Sequence, residues 1–196
     1  MMRAIARRFG LLALVFVAGC PQQSIQHLEI RPTPEQFFPL SHKGQAMPFT
    51  AHVLDKNNFL IAVDSANWKS SDESVITVDV TGKVTAISSG VAQLQAEYKG
   101  FIATLPLTVK IVGKVELTPA KDLTIKMRQT QQFTAVVKND RDQVMTDQKV
   151  VWSMMGYAAD VDQNGLVRGQ AIGESVLQAK AGDEVARIKL NVLDYE

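Results

Sequence analysis

The side chains able to do chemistry are few and scattered. His27, His42 and His52 are the three histidines, and none has a second His, Cys, Asp or Glu at a spacing that closes a zinc site. Oxygen-rich stretches at Asn139-Asp140-Arg141-Asp142 and Asp160-Val161-Asp162-Gln163-Asn164 offer carboxylates and carbonyls of the kind calcium takes. The same residue types are also the ordinary material of hairpin turns. A serine, histidine and carboxylate triad can be assembled from His52, Asp64 and Ser65, but triads are defined by geometry and nothing in this placement demands one. No phosphate-binding loop, nucleophile elbow, metalloprotease helix or dinucleotide fingerprint occurs in the sequence. The expectation is no metal, no cofactor and no enzymatic activity.

One cysteine is present, Cys20, so an intrachain disulfide is excluded. It follows an apolar run from Phe9 to Ala18, which is itself preceded by Arg3, Arg7 and Arg8; no acidic residue occurs before Glu29. A basic start, a short apolar stretch and small residues before a fixed point are the features of a secretory signal. The run is shorter than the ~20 residues needed to span a bilayer. Leu14-Val15-Phe16-Val17-Ala18-Gly19-Cys20 resembles the lipobox of bacterial lipoproteins, with Val17, Ala18 and Gly19 ahead of the cysteine. The resemblance implies cleavage before Cys20 and acylation of that residue. Two acyl chains, at ~0.8 kcal/mol per buried methylene, make such an anchor stable where one is marginal. Arg7-Arg8-Phe9 resembles a twin-arginine export signal only faintly, adjacent arginines being common in any basic leader.

Whole-chain net charge is +1. Without the three leader arginines, 18 basic residues stand against 20 acidic ones. No Lys/Arg cluster is present to neutralise phosphates, which removes the main driving force for nucleic-acid binding.

Behind the leader, one unit is written twice. His27-Leu28-Glu29-Ile30-Arg31-Pro32 matches Lys114-Val115-Glu116-Leu117-Thr118-Pro119, and Phe49-Thr50-Ala51 matches Phe133-Thr134-Ala135. Trp68 matches Trp152, Gly82 matches Gly165, Gly90 matches Gly173 and Leu94-Gln95-Ala96 matches Leu177-Gln178-Ala179. Conserved order at a near-constant offset identifies a duplicated fold unit.

Within each unit the hydrophobic period is two. Phe49, Ala51 and Val53 alternate with Thr50 and His52; Ala103, Leu105, Leu107 and Val109 alternate with Thr104, Pro106 and Thr108; Ala186, Ile188, Leu190 and Val192 repeat the pattern. That period belongs to strands with one buried face. Turn residues at Asp55–Asn58, Ser70–Asp72, Thr81-Gly82, Ser88–Gly90 and Lys99-Gly100 separate the runs. About seven strands are expected in the first unit: Leu28–Arg31, Ala46–Leu54, Ala66–Lys69, Val75–Val80, Lys83–Ile87, Val91–Tyr98 and Phe101–Val112, a count that suits an immunoglobulin-type sandwich. Pro106 cannot donate to a ladder, which places its strand at an edge or a bulge.

Ala66-Asn67-Trp68-Lys69-Ser70-Ser71-Asp72-Glu73-Ser74-Val75, then Val78-Asp79-Val80-Thr81-Gly82-Lys83-Val84-Thr85-Ala86 and Gly90, resembles the group 2 bacterial immunoglobulin-like domain, relatives of which recur in intimin- and invasin-type adhesins. The second copy keeps Trp152, Gly165 and Gly173 but has Met154-Met155-Gly156-Tyr157 where the first has its serine turn. The organisation expected is a signal peptide over 1–19, a lipidated N-terminus and tether over 20–26, and all-β immunoglobulin-like domains over 27–112 and 113–196. The linker Ile111–Val115 leaves little slack, so a semi-rigid rod is expected, roughly 35 Å per domain and roughly 70 Å for the pair. The tether adds up to ~20 Å when extended.

Trp68 and Trp152 are expected in the cores, filling space between sheets from a central strand, rather than as sugar-stacking platforms. Met154, Met155 and Tyr157, apolar residues in an expected loop, are either buried at the domain end or form a contact for a partner protein. The function these features imply is non-catalytic: a lipid-anchored envelope protein serving as spacer, adhesion or protein-interaction module. Its partners would be the membrane, through Cys20, and another envelope or surface protein. Absence of an aspartate after Cys20 points to the outer membrane, by resemblance to other lipoproteins. A carbohydrate- or peptidoglycan-binding lipoprotein is the alternative, and an enzyme accessory subunit or weak hydrolase a third.

Overall fold

A computed structural model describes residues 25–33, 39–61 and 65–194. Cys20, the leader and Asp64 lie outside the described residues. Every regular element described is a strand: β1 Ile25–Pro32, β2 Ala46–Asp55, β3 Leu60–Ile61, β4 Asn67–Ser70, β5 Ile76–Val78, β6 Lys83–Ala86, β7 Gly90–Tyr98 and β8 Phe101–Val109 in the first unit. The second unit follows with β9 Val112–Thr118, β10 Leu123–Lys126, β11 Thr130–Gln132, β12 Thr134–Asn139, β13 Val151–Gly156, β14 Ala159–Val161, β15 Leu166–Gly169, β16 Gly173–Ala181 and β17 Glu184–Leu193.

Each unit is a two-layer sandwich. In the first, β1-β2-β6-β5, with β3 paired to β2, faces β4-β7-β8. In the second, the β12-β9 pair and the β11-β15-β14 sheet face β10-β17-β16-β13. Strand β10 runs parallel to β17, pairing Ile125 with Val192; the first unit keeps this contact as a parallel bridge between Leu40 and Val109. The alternation read from the sequence puts Phe49, Val53, Leu107 and Val109 inside the first unit and Phe133, Ile188, Leu190 and Val192 inside the second. Burying each such side chain contributes ~1.5–3 kcal/mol.

Four matched residues fix each unit. Asp79 accepts bonds at Oδ1 from the amides of Thr81 (2.8 Å) and Lys83 (3.1 Å), closing the β5–β6 hairpin. Gly82 occupies a left-handed conformation, φ 84°, in that turn. Its carbonyl accepts the Phe49 amide at 2.9 Å, and a Cβ there would lie 2.8 Å from the Trp68 indole. The second unit repeats this with Asp162, Gly165 (φ 81°), the Phe133 amide and Trp152. Glycine is needed because φ is positive and a tryptophan lies against the Cα.

Four expectations are corrected. The run Phe101–Val112 is two strands: β8 stops at Val109, Ile111 is buried in the first unit's core, and β9 opens at Val112. Strand β1 starts at Ile25, inside the expected tether, a register shift between Ile25 and His27 having obscured its period. Met154-Met155-Gly156 is not a loop but the end of β13, paired to Leu177, Val176 and Ser175. The tryptophans ride on β4 and β13, which are edge strands of their sheets, not central ones. Pro106 pairs with Gln93 of β7 on one side only, as an edge strand allows.

Candidate functional site

Of the residues that could make a triad, Asp64 lies outside the described residues, and the described ones bond locally. His52 Nε2 lies 2.8 Å from Thr50 Oγ1 on its own strand, and Ser65 is exposed. His42 contacts Ser41 Oγ through Nδ1 and Asp183 through Nε2, while His27 is exposed at the start of β1. Among the described residues no group of three or more His, Cys, Asp or Glu is placed to hold a metal ion. Both oxygen-rich stretches are committed to structure instead: Asp162 closes its hairpin and Asp160 accepts from Gln170 Nε2 at 2.6 Å.

The other stretch joins the two units. Asn139 Oδ1 accepts the amides of Arg141 and Gln143, both at 2.9 Å, which shapes a tight turn after β12. That turn presents Asp140 and Arg141 to the first unit. The Asp140 carboxylate accepts the backbone amide of Ser89 at 3.0 and 3.3 Å. Arg141 donates through Nε to Ser88 Oγ at 2.8 Å and through Nη2 to the Ser74 carbonyl and hydroxyl at 3.3 and 3.2 Å. Ser89 is 3% exposed, and its hydroxyl both accepts the Ile111 amide at 2.9 Å and donates to the Ile111 carbonyl at 3.3 Å. Partial burial raises the Asp140 carboxyl, but bonds from Ser89 and Ser88 outweigh it and hold the group below the ordinary aspartate range. Lys110 pairs with Asp147 and His42 with Asp183 across the same junction. A Cβ on Gly113 would meet the Asn139 carbonyl oxygen at 2.6 Å, so the chain passes the turn with no room for a side chain.

At the far end of the second unit the nominated contact residues divide. Met154 is half-buried and packs on the core, whereas Met155 is 58% and Tyr157 75% exposed. The Tyr157 ring lies beside Gly173, and the neighbouring Ile172 is exposed as well. Repeat alignment gives this patch a meaning. With Gly90 matched to Gly173, Ser89 corresponds to Ile172; with the β5–β6 pair Ile76 and Ala86 matched to the β14–β15 pair Ala159 and Gly169, Ser74 corresponds to Tyr157. The end of the first unit that receives its neighbour through serines is, in the second unit, an exposed apolar surface. Trp152 is 8% exposed and Trp68 half-buried, each with its indole against a glycine.

Two face-to-face, mostly antiparallel layers per unit, repeated and joined without slack, define a tandem immunoglobulin-like protein. The family model of the bacterial Ig-like domain (group 2) matches residues 39–99 and 111–188, and the chain belongs to that family. A polysaccharide lyase 8 family protein, HylA, of Enterococcus faecalis is 33% identical over 104 residues, 51% of this chain and 8% of the relative. Ice-binding protein 1 of Shewanella frigidimarina is 27% identical over 140 residues, 67% of this chain and 16% of the relative. The chain thus spans a small part of either relative. Among solved structures, the three N-terminal domains of the outer capsid protein Hoc of bacteriophage RB49 superpose with a TM-score of 0.50 at 12% identity, covering 87% of this chain and 71% of that one. That likeness is one of fold.

Proposed function

We propose that the chain is a non-catalytic interaction module of the bacterial envelope, anchored by lipid on Cys20 in the outer membrane, which holds its second domain outward as a spacer and offers the end of that domain away from the junction to another envelope protein. The observation that carries this reading is the difference between the two corresponding ends: Ser74 and Ser89, which hold a neighbour in the first domain, correspond in the second to the exposed Tyr157 and Ile172. An aromatic residue beside apolar ones in an exposed patch is the composition of a protein contact. The junction bonds give the module its stiffness.

In-cell photo-crosslinking from position 157 tests the contact. One discrete adduct is expected, lost in a Tyr157→Ser/Ile172→Ser variant that keeps its melting temperature; capture unchanged in that variant refutes the site. Cys20→Ser tests the anchor and should move the protein from the membrane to the soluble fraction, an unchanged membrane fraction refuting it. Glycan binding is the second reading, supported by the likeness to a protein named as a polysaccharide lyase and by the exposed Tyr157 ring. Titration with peptidoglycan fragments separates the two, since saturable binding abolished by Tyr157→Ser favours glycan over protein.

A further inference from the structure

The turn that docks the second domain on the first exists in the first domain as well. With Phe49 matched to Phe133, Asp55-Lys56-Asn57-Asn58-Phe59 corresponds to Asn139-Asp140-Arg141-Asp142-Gln143. The two turns share one bond pattern. Asp55 Oδ1 accepts the amides of Asn57 (2.7 Å) and Phe59 (2.9 Å) as Asn139 Oδ1 accepts those of Arg141 and Gln143. The Asp55 amide donates to the Phe59 carbonyl as Asn139 does to Gln143, and Asn58 and Asp142 share left-handed φ values of 61° and 62°. The scaffold is the same while the presented residues differ: Lys56 and Asn57 replace Asp140 and Arg141, and Phe59 and Leu60 stand 67% and 62% exposed.

What this copy of the turn faces is set by the chain. In the second domain, Val112 lies beside the docking turn, paired with Asn139, and the chain before it enters the body on which the turn docks. In the first domain, Ile25 pairs with Asp55 in the corresponding place, and five residues before Ile25 is Cys20. Five residues reach at most ~18 Å. The hairpin at Tyr98–Phe101 shares this end, since Ile25, Ile61, Tyr98 and Phe101 pack on one cluster, and it adds an exposed Lys99 whose Nζ lies 5.1 Å from the Tyr98 ring centroid.

We propose that this end of the first domain is a membrane-docking tip, in which Phe59 and Leu60 enter the headgroup region of the anchoring leaflet while Lys56 and Lys99 meet lipid phosphates. The proposal rests on the reading of Cys20 as the lipid-bearing residue. Apolar side chains at the tip of a rigid turn, flanked by exposed lysines, match both layers of a phospholipid surface, hydrocarbon below and phosphate above. The tight Asp55 turn holds Phe59 outward in advance, so little ordering is required on contact. Such docking stands the rod on the membrane rather than letting it swing on its tether.

The test uses the lipidated full chain in vesicles of phosphatidylethanolamine and phosphatidylglycerol. Acylation consumes the one native thiol, so Asn57→Cys carries a unique environment-sensitive fluorophore, and Asn164→Cys supplies a reference on the second domain. Expected are a blue shift and several-fold stronger quenching by doxyl-labelled lipid at position 57 than at position 164. Lys56→Ser/Phe59→Ser/Leu60→Ser should abolish both while the protein stays vesicle-bound through its lipid. Mass spectrometry of the purified chain reads acylation separately. Acylated protein whose position-57 label is as open to an aqueous quencher as the reference overturns the docking tip alone; an unacylated Cys20 overturns the anchor and, with it, the tip.

Discussion

The junction is the element on which a spacer depends, and its strength is open to direct measurement. Asp140→Ala removes the acceptor of the Ser89 amide, which belongs to a residue only 3% exposed. A buried donor left without an acceptor costs ~1–3 kcal/mol. Arg141→Ala removes bonds to Ser88 and Ser74 at an exposed site, worth ~0.2–1 kcal/mol. The two residues share one turn, so their effects are not additive; about 2 kcal/mol for the double variant changes the docked-to-undocked ratio roughly 30-fold. Spin labels at Asn57→Cys and Asn164→Cys on a Cys20→Ser background report the separation of the domains. The parent should give one narrow distance distribution and the double variant a broad one, with each domain still folded. A parent distribution that is already broad, or a variant as narrow as the parent, refutes the assignment of stiffness to this turn.

Other outcomes follow from the same contacts. Gly165→Ala forces a left-handed φ and a Cβ 2.8 Å from Trp152, and should lower stability by more than ~1 kcal/mol in chemical denaturation. Trp152→Ala should cost ~3–5 kcal/mol through lost burial and the cavity left behind, and Trp68→Ala less, because Trp68 is the more exposed of the pair; equal losses would refute the difference in packing. Bonds from Ser89 and Ser88 outweigh the burial that raises Asp140 and leave its folded value below the unfolded one. Its stabilisation is therefore complete above the ordinary aspartate value and lost as pH falls through the lowered folded value. Distance distributions followed on acidification should broaden below the ordinary aspartate range, and an Asp140→Asn variant should weaken that dependence without abolishing it, because Lys110 holds Asp147 low across the same junction. Met155→Ser and Tyr157→Ser lie at exposed positions and should leave stability within ~0.5 kcal/mol of the parent, as read by thermal melts.

The sandwich pair was legible because its signals are local and duplicated. Alternation at Phe49–Val53 and Ala186–Val192 marked the buried faces, and Phe49, Trp68 and Gly82 recur at a nearly constant shift because they touch one another in space. What escaped had physical causes. Strand β13 was hidden because Met155, on the outward face, is as apolar as Met154 on the inward one, which erases the period of two. Sheet order is absent from periodicity, so the edge position of β4 and β13 was out of reach. The junction bond joins residues 51 apart in sequence, and Asn139–Asp142 has the composition shared by calcium loops and hairpin turns alike. The repeat itself held the missing signal: the same bond-forming turn at Asp55 and Asn139, with different residues on its crest.

Duplication also explains why the two ends of the module differ from its middle. One junction needs a presenting turn and a receiving surface, and each of the two domains carries its own copy of both, so that among the described residues the turn at Asp55 and the surface at Tyr157 and Ile172 meet no neighbouring domain. Here both carry exposed apolar residues: Gln143 of the presenting turn corresponds to the exposed Phe59, beside the polar Lys56 and Asn57, and Ser74 and Ser89 of the receiving surface correspond to the exposed Tyr157 and Ile172. Exposed aromatic and aliphatic residues invite aggregation unless something covers them. Their placement on the turn at Asp55 and on the surface at Tyr157 and Ile172 is what the two contacts proposed above, one with the anchoring leaflet and one with an envelope protein, would require.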